Sequence, residues 1–493
     1  MNIRAKILVG LLGGTLLAGT AVAADTGKLS LAHAAKLGDR DAVRSLLNGR
    51  AKEDVAKAEG TAALLAAASR NDLEMADLLL RAGADPNGAN EYGATALYAA
   101  AGNTGPTMIA KLLAAGADAN AALFSGETPL MVAARQGNVA TVNALLEGGA
   151  DPNAQEKNGG QNALVWAISE RHAKVTEALV RHKADVNART KGGYTALMFA
   201  ARGDLESARI LLNAGAHPDD AVPDWGGTAL IIASTMGRTE IVELLLNKGA
   251  DPNIRDDNTF TALHAAVRDS DYGVEQPQRV AGAATVKVLL AHGADPNARL
   301  NQKKPSVRTL DEIELQGATP LALAAEVNSL DAIKALVEGG ADPRIATEKG
   351  TTPLMLAAGA GTDVQRRRSP EERALAVETA KFLVEHGVDV NAAGQYGWTA
   401  LHSAAYQGLN DVIDYLVSKG AKLETKDQLG QTPLSISLSV LTKEAGAKRL
   451  QIPRRYQKDT AQLLLRLGAI PFKDSGVNAV LQRNGELAAQ DDE

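Results

Sequence analysis

The 493 residues include no cysteine. That excludes disulfides, thiolate metal ligands, cysteine nucleophiles and lipid attachment through sulfur. Large rings are almost as scarce, with 3 Trp, 8 Tyr and 5 Phe making up 3% of the chain. A core so poor in rings must close through small side chains, Ala against Leu, as closely packed helices do. An excess of positive charge is missing too. The 52 Lys and Arg face 58 Asp and Glu for a net −6, which argues against a nucleic-acid partner. No Gly-x-Ser-x-Gly, P-loop or His-Glu-x-x-His occurs, nor a Gly-x-Gly-x-x-Gly in a βαβ setting. The chain therefore reads as a non-enzyme with no catalytic residue, cofactor or metal site.

Residues 1–23 have the three parts of a secretory signal. Arg4 and Lys6 form a positive start, Ile7 to Thr20 is apolar, and Ala21-Val22-Ala23 supplies the small-x-small cleavage pattern. A membrane anchor is the alternative. The 18 residues from Ile7 to Ala24 fall just short of the roughly 20 a bilayer needs, and Gly10, Gly13, Gly14 and Gly19 interrupt them. The expectation is cleavage after Ala23 or Ala24, a bacterial periplasmic or secreted mature chain of net −8, and no membrane association after cleavage.

The rest is one unit repeated. Leucines stand at 31, 64, 97, 130, 164, 197, 230, 263, 321, 354, 401 and 434, mostly 33 apart. Around most of them the text is Thr-Pro-Leu or Thr-Ala-Leu followed by Ala-Ala, as at Thr128-Pro129-Leu130 with Ala133-Ala134. Units after the first close on Gly-Ala-Asp-Pro-Asn or a near variant, as at Gly149 to Asn153. The preceding Thr can cap a first helix. Pro129, Pro320, Pro353 and Pro433 fall at its first position, where a missing N–H costs nothing. Gly137, Gly203 or Gly408 should end it. A second helix follows with apolar residues at helical spacing, such as Val139, Val142, Leu145 and Leu146. Gly149 stops it, and Asp-Pro-Asn cannot continue it. The next residues should form an outward β-hairpin finger.

This pattern resembles the ankyrin repeat over roughly residues 28–472. The resemblance implies an all-α solenoid, a curved elongated rod of about eleven repeats with an N-terminal capping pair at 28–58 and the array at 59–472. At about 10 Å per repeat the rod would be on the order of 100 Å long. It also implies a protein-recognition scaffold that grasps a protein partner along its concave face, here expected to be a monomer. Residues 473–493 read as a tail.

The period breaks in four places: near 269–284, 298–316, 360–375 and 442–458. Insertions in a solenoid map to its surface, because the core tolerates none. Three of these carry basic clusters. Arg299, Lys303, Lys304 and Arg308 lie in one, Arg366, Arg367, Arg368 and Arg373 in the next, and Lys443, Lys448, Arg449, Arg454, Arg455 and Lys458 in the last. A solvated loop explains such runs, and a docking strip for an acidic partner is the sharper alternative.

Histidines and aspartates recur by register. His264 and His402 follow Thr-Ala-Leu, where the resemblance implies a bond within the repeat. His182, His292 and His386 fall where a second helix ends. Equivalent positions about 10 Å apart are out of reach of one zinc ion. Aromatics are the better partner candidates, since rings dominate binding hot spots. Tyr92, Phe124, Tyr194, Trp225, Phe260, Tyr396 and Trp398 lie on or beside the fingers. They suggest an early patch (Tyr92, Phe124) and a central-to-late one (Trp225, Tyr396, Trp398); rings packing on neighbouring fingers are the bland alternative. The expected function is an exported scaffold binding a periplasmic or secreted protein. An envelope spacer holding an anionic polymer and a secreted effector binding host proteins are the rivals.

Overall fold

The computed structural model describes residues 30–48, 52–102, 105–267, 282–301, 315–360, 368–438 and 457–471. The signal-like segment, Arg366, Arg367, most of the four insertions and the tail lie outside the described residues. Those residues form twelve helix pairs, from Leu31–Leu37 with Arg40–Leu47 to Pro433–Ser437 with Lys458–Arg466. They contain no sheet, only isolated bridges at three of the fingers. The fold is an ankyrin-type α-solenoid. Two compact units are present, one running to Ala233 and including Asn247–Ala250, the other comprising Ser234–Leu246 and the residues from Asp251 on.

Local chemistry sets the helix starts. Thr95, Thr128, Thr319 and Thr352 each accept a hydrogen bond from the third helical N–H, which satisfies a donor no carbonyl can reach. Pro129, Pro320, Pro353 and Pro433 open their helices. Second helices are capped the same way by Asp39, Asp72, Asn138 and Asp204. Gly137 and Gly408 terminate first helices at φ 75° and 69°. Gly203 does not: its helix stops earlier, at Ala200.

Within the units, first helices pack on their successors, as Pro129–Gln136 does on Ala163–Ser169 and Pro320–Glu326 on Pro353–Ala357. Leu97, Leu130, Leu164 and Leu197 are at most 1% exposed, and Ala133, Ala134, Ala167 and Ala200 are fully buried. Replacing rings by methyl groups is what allows this approach. Two helices depart from the short repeat pattern. Lys52–Ser69 runs 18 residues, so the boundary placed at 58–59 lies inside a helix. Pro370–Glu385 runs 16 residues, turning the end of the 360–375 insertion into two extra helical turns. Ser369 and Glu372 start it with a reciprocal capping box.

The fingers are tighter than hairpins. Antiparallel bridges occur at Ala89–Thr95, Arg189–Thr195 and Ala221–Thr228 and do not extend into ladders. A side chain at the finger's base takes the N–H groups that strand pairing would have used. Asn90 accepts from Tyr92 and Ala94, and Asp256 from Asn258 and Phe260. The buried Glu156 carboxylate accepts from Asn158, Gly159 and Gln161.

Candidate interaction surface

Neighbouring fingers are tied together by one repeated arrangement. In the first unit Asn87 donates its amide to the Gly116 carbonyl and accepts from the Asp118 N–H. Asn120 does the same to Gly149 and Asp151, Asn153 to Lys183 and Asp185, and Asn187 to Gly215 and His217. In the second unit Asn253, Asn297 and Asn391 repeat it. The register aspartates serve this turn, as with Asp118 accepting from Asn120 at 2.9 Å. Arg344 stands where the next Asn belongs. Its guanidinium forks its own Asp342 at 2.9 and 3.0 Å instead, holding that carboxyl below the usual range.

Finger tips are linked as well. The Phe124 N–H donates to the Tyr92 carbonyl at 3.2 Å, Lys157 to Ser125 and Lys191 to Gly159. In the other unit Gln395 donates to Lys349 and Gln428 to Tyr396. Side chains at one register add a second line of bonds. Gln155 donates to the Arg189 carbonyl, Arg189 to that of Ala221, Arg255 to that of Arg299, and Arg299 to that of Ala346. Arg299, from the basic segment, is thus part of the finger framework. Arg368 is half-buried and Arg373 exposed on the long helix.

The seven rings divide by position. Tyr92, Phe124 and Tyr396 sit at finger tips and are 51%, 71% and 53% exposed, and Lys349 stands over the Tyr396 ring at 6.0 Å. Tyr194, Phe260 and Trp398 immediately precede a capping Thr, so their rings lean on the first helix. Tyr194 meets Phe199 edge-on at 6.1 Å. Phe260 is buried with its ring edge-on to His264 at 5.8 Å; it belongs to the packed stack and offers no surface. Trp398 stacks on His402, meets Tyr406 edge-on and donates its indole N–H to Asp427. Trp225 lies against Gly227, where a Cβ would fall 1.8 Å from the ring, and donates to the Tyr194 hydroxyl at 3.1 Å. Tyr92 and Phe124 share one unit and adjoining tips. Trp225 belongs to the first unit and Tyr396 and Trp398 to the second.

Two further rings on first helices escaped the sequence reading. Trp166 is 9% exposed beneath the Arg135 guanidinium, 4.9 Å from its ring centre. Phe199 is half-buried one repeat on. Both stand two residues after the register Leu, a spacing that marks the same helix face.

The histidines are tied within the repeats. His264 and His402 bond Thr261 and Thr399 at 2.9 and 2.8 Å. Burial pushes the His264 imidazole down to about 4 and lowers that of His402. His182, His292 and His386 bond carbonyls one turn back in their own helices. Among the described residues no group of three or more His, Asp and Glu could hold a metal ion, and no helix is long and apolar enough to cross a membrane.

Paired helices, short turns and side-chain-bonded fingers define a repeat scaffold. Family models for ankyrin repeats match residues 31–123, 130–222, 216–300, 279–366 and 373–439, and a single-repeat model matches 349–395. The chain belongs to the ankyrin repeat family. It is similar to the human ankyrin repeat and SOCS box protein 16, at 29% identity over 34% of this chain and 43% of that protein. It is also similar to the mouse B-cell lymphoma 3 protein homolog, at 33% identity over 31% of this chain and 37% of that protein. An Arabidopsis thaliana E3 ubiquitin-protein ligase, KEG, matches at 25% identity over 56% of this chain and 18% of its own length. The chain thus spans less than half the length of these relatives. Among solved structures, the ankyrin repeat domain of Bcl-3 aligns at 26% identity with a TM-score of 0.39, covering 41% of this chain and 92% of that one. Ankyrin repeats generally mediate protein–protein contact, and the fold is generally a non-enzymatic scaffold.

Proposed function

We propose that the chain is an exported scaffold that binds a protein partner through its finger tips and the adjoining first-helix faces. The observation that carries the reading is the exposure of Tyr92 and Phe124 on adjoining tips joined by a backbone hydrogen bond. Two large rings held in water by a rigid frame are a cost that a partner's apolar surface removes. Export rests on the Arg4-Lys6 start, the apolar run and Ala21-Val22-Ala23. The chain is expected to act in the periplasm or outside the cell.

The experiment is capture of partners from the periplasmic fraction on immobilised mature chain, beside Tyr92→Ser/Phe124→Ser. Loss of a retained protein with the double variant supports the reading. Equal retention by both, or a native protein that still begins at Met1, overturns the corresponding half of it.

A further inference from the structure

Two hydrogen-bond donors in the first unit lie on neighbouring first helices and lack acceptors. The Trp166 indole Nε1 is shut off from water and bonded to nothing. A buried N–H left unpaired is a standing cost to the fold. Above the same ring lies Arg135, from the helix Pro129–Gln136. Its guanidinium is half-buried and makes no ion pair or hydrogen bond among the described residues. Neighbouring donors do have partners: the Trp225 indole has the Tyr194 hydroxyl, and the Tyr98 hydroxyl donates to Glu127 at 3.0 Å. Fixed, parallel N–H groups of a guanidinium suit a carboxylate above other acceptors.

We propose that the Arg135–Trp166 pair is the anchor for a carboxylate side chain of the partner protein, with an apolar neighbour of that residue against Phe199. The proposal rests on the protein-recognition reading and adds the partner's chemistry: an acidic residue beside an apolar one. Charge-assisted pairing of this kind gives the Arg135 guanidinium the acceptor it lacks and changes the surroundings of the ring beneath it.

The test uses the full mature chain and the peptide acetyl-Leu-Glu-Leu-amide, read by the three indole N–H signals in a nitrogen–proton correlation spectrum. At about 10 mM peptide, suited to a millimolar site, the Trp166 signal should shift saturably while those of Trp225 and Trp398 stay in place. The Gln analogue, acetyl-Leu-Gln-Leu-amide, should leave it unmoved. Arg135→Met should weaken the Glu peptide about thirtyfold or more, with unchanged Trp225 and Trp398 signals showing that the fold persists. No Trp166 shift, an equal shift with the Gln analogue, or a shift that survives Arg135→Met overturns the anchor. A captured partner that wild type and Arg135→Met retain alike overturns it too, and leaves protein recognition standing.

Discussion

At the scale of single residues, burial decides which groups are silent and which respond to conditions. Leu230 is 1% exposed on a first helix. Leu230→Asp places an unpaired charge in that packing and should cost about 4 kcal/mol or more. Chemical denaturation should show the loss, and an unchanged midpoint would contradict the packing described. His264 gives a pH dependence. Its folded value of about 4 lies below the roughly 6.5 of an unfolded His. Above pH 6.5 both states are neutral and the full stability is present. As pH falls from 6.5 to 4 the unfolded chain takes up the proton first, so stability declines by about 3 kcal/mol. His402, also lowered, acts in the same sense. Denaturation midpoints across that window should fall more steeply for wild type than for His264→Gln.

The residue scale is also where the sequence speaks most directly, and where it misleads. Capping threonines, N1 prolines and register leucines are legible because each answers a local requirement. The rings were harder to separate, since composition alone does not distinguish tip from base. A finer signal was present. Tyr92 and Tyr396 directly precede the finger's Gly and point outward, whereas Phe260 and Trp398 directly precede the capping Thr and fold onto the helix below. Trp166 was missed because a ring inside an Ala-rich helix reads as core, and nothing local announces the unpaired indole.

Elements are held to one another by the Asn bridges, and their strength is measurable. Asn120→Ala removes one donor and one acceptor between fingers and should destabilise by about 1–2 kcal/mol. Arg344→Asn tests the converse. A restored Asn at that position could bond Gly387 and Asp389 as its counterparts do, raising the midpoint by less than Asn120→Ala lowers it. A lower midpoint for Arg344→Asn would show that the Asp342 fork matters more. The long helix Pro370–Glu385 was readable in outline, because Ser369-Pro370-Glu371-Glu372 is a helix start by composition. Its effect was hidden by treating every residue beyond the period as loop. Finger pairing stops at single bridges for a related reason: Asn90, Glu156 and Asp256 compete for the N–H groups that longer ladders need.

For the whole molecule, repeats that touch only their neighbours do not share one transition. Trp166 and Trp225 belong to one compact unit and Trp398 to the other. Guanidinium unfolding of Trp398→Phe reports the first, and that of Trp166→Phe/Trp225→Phe the second. The two fluorescence midpoints should differ. Superimposed curves would mean a single chain-wide cooperative step.

The Asn bridge has one more consequence. Each of these joints asks the same thing of both sides, a glycine-region carbonyl and an amide hydrogen presented to one carboxamide. A segment copied between Asn87 and Asn120, or between Asn120 and Asn153, would therefore meet matching groups at both splice points. Gene duplication can lengthen such a chain without inventing a new seam, and Arg344, bonded to Asp342, marks a seam made differently.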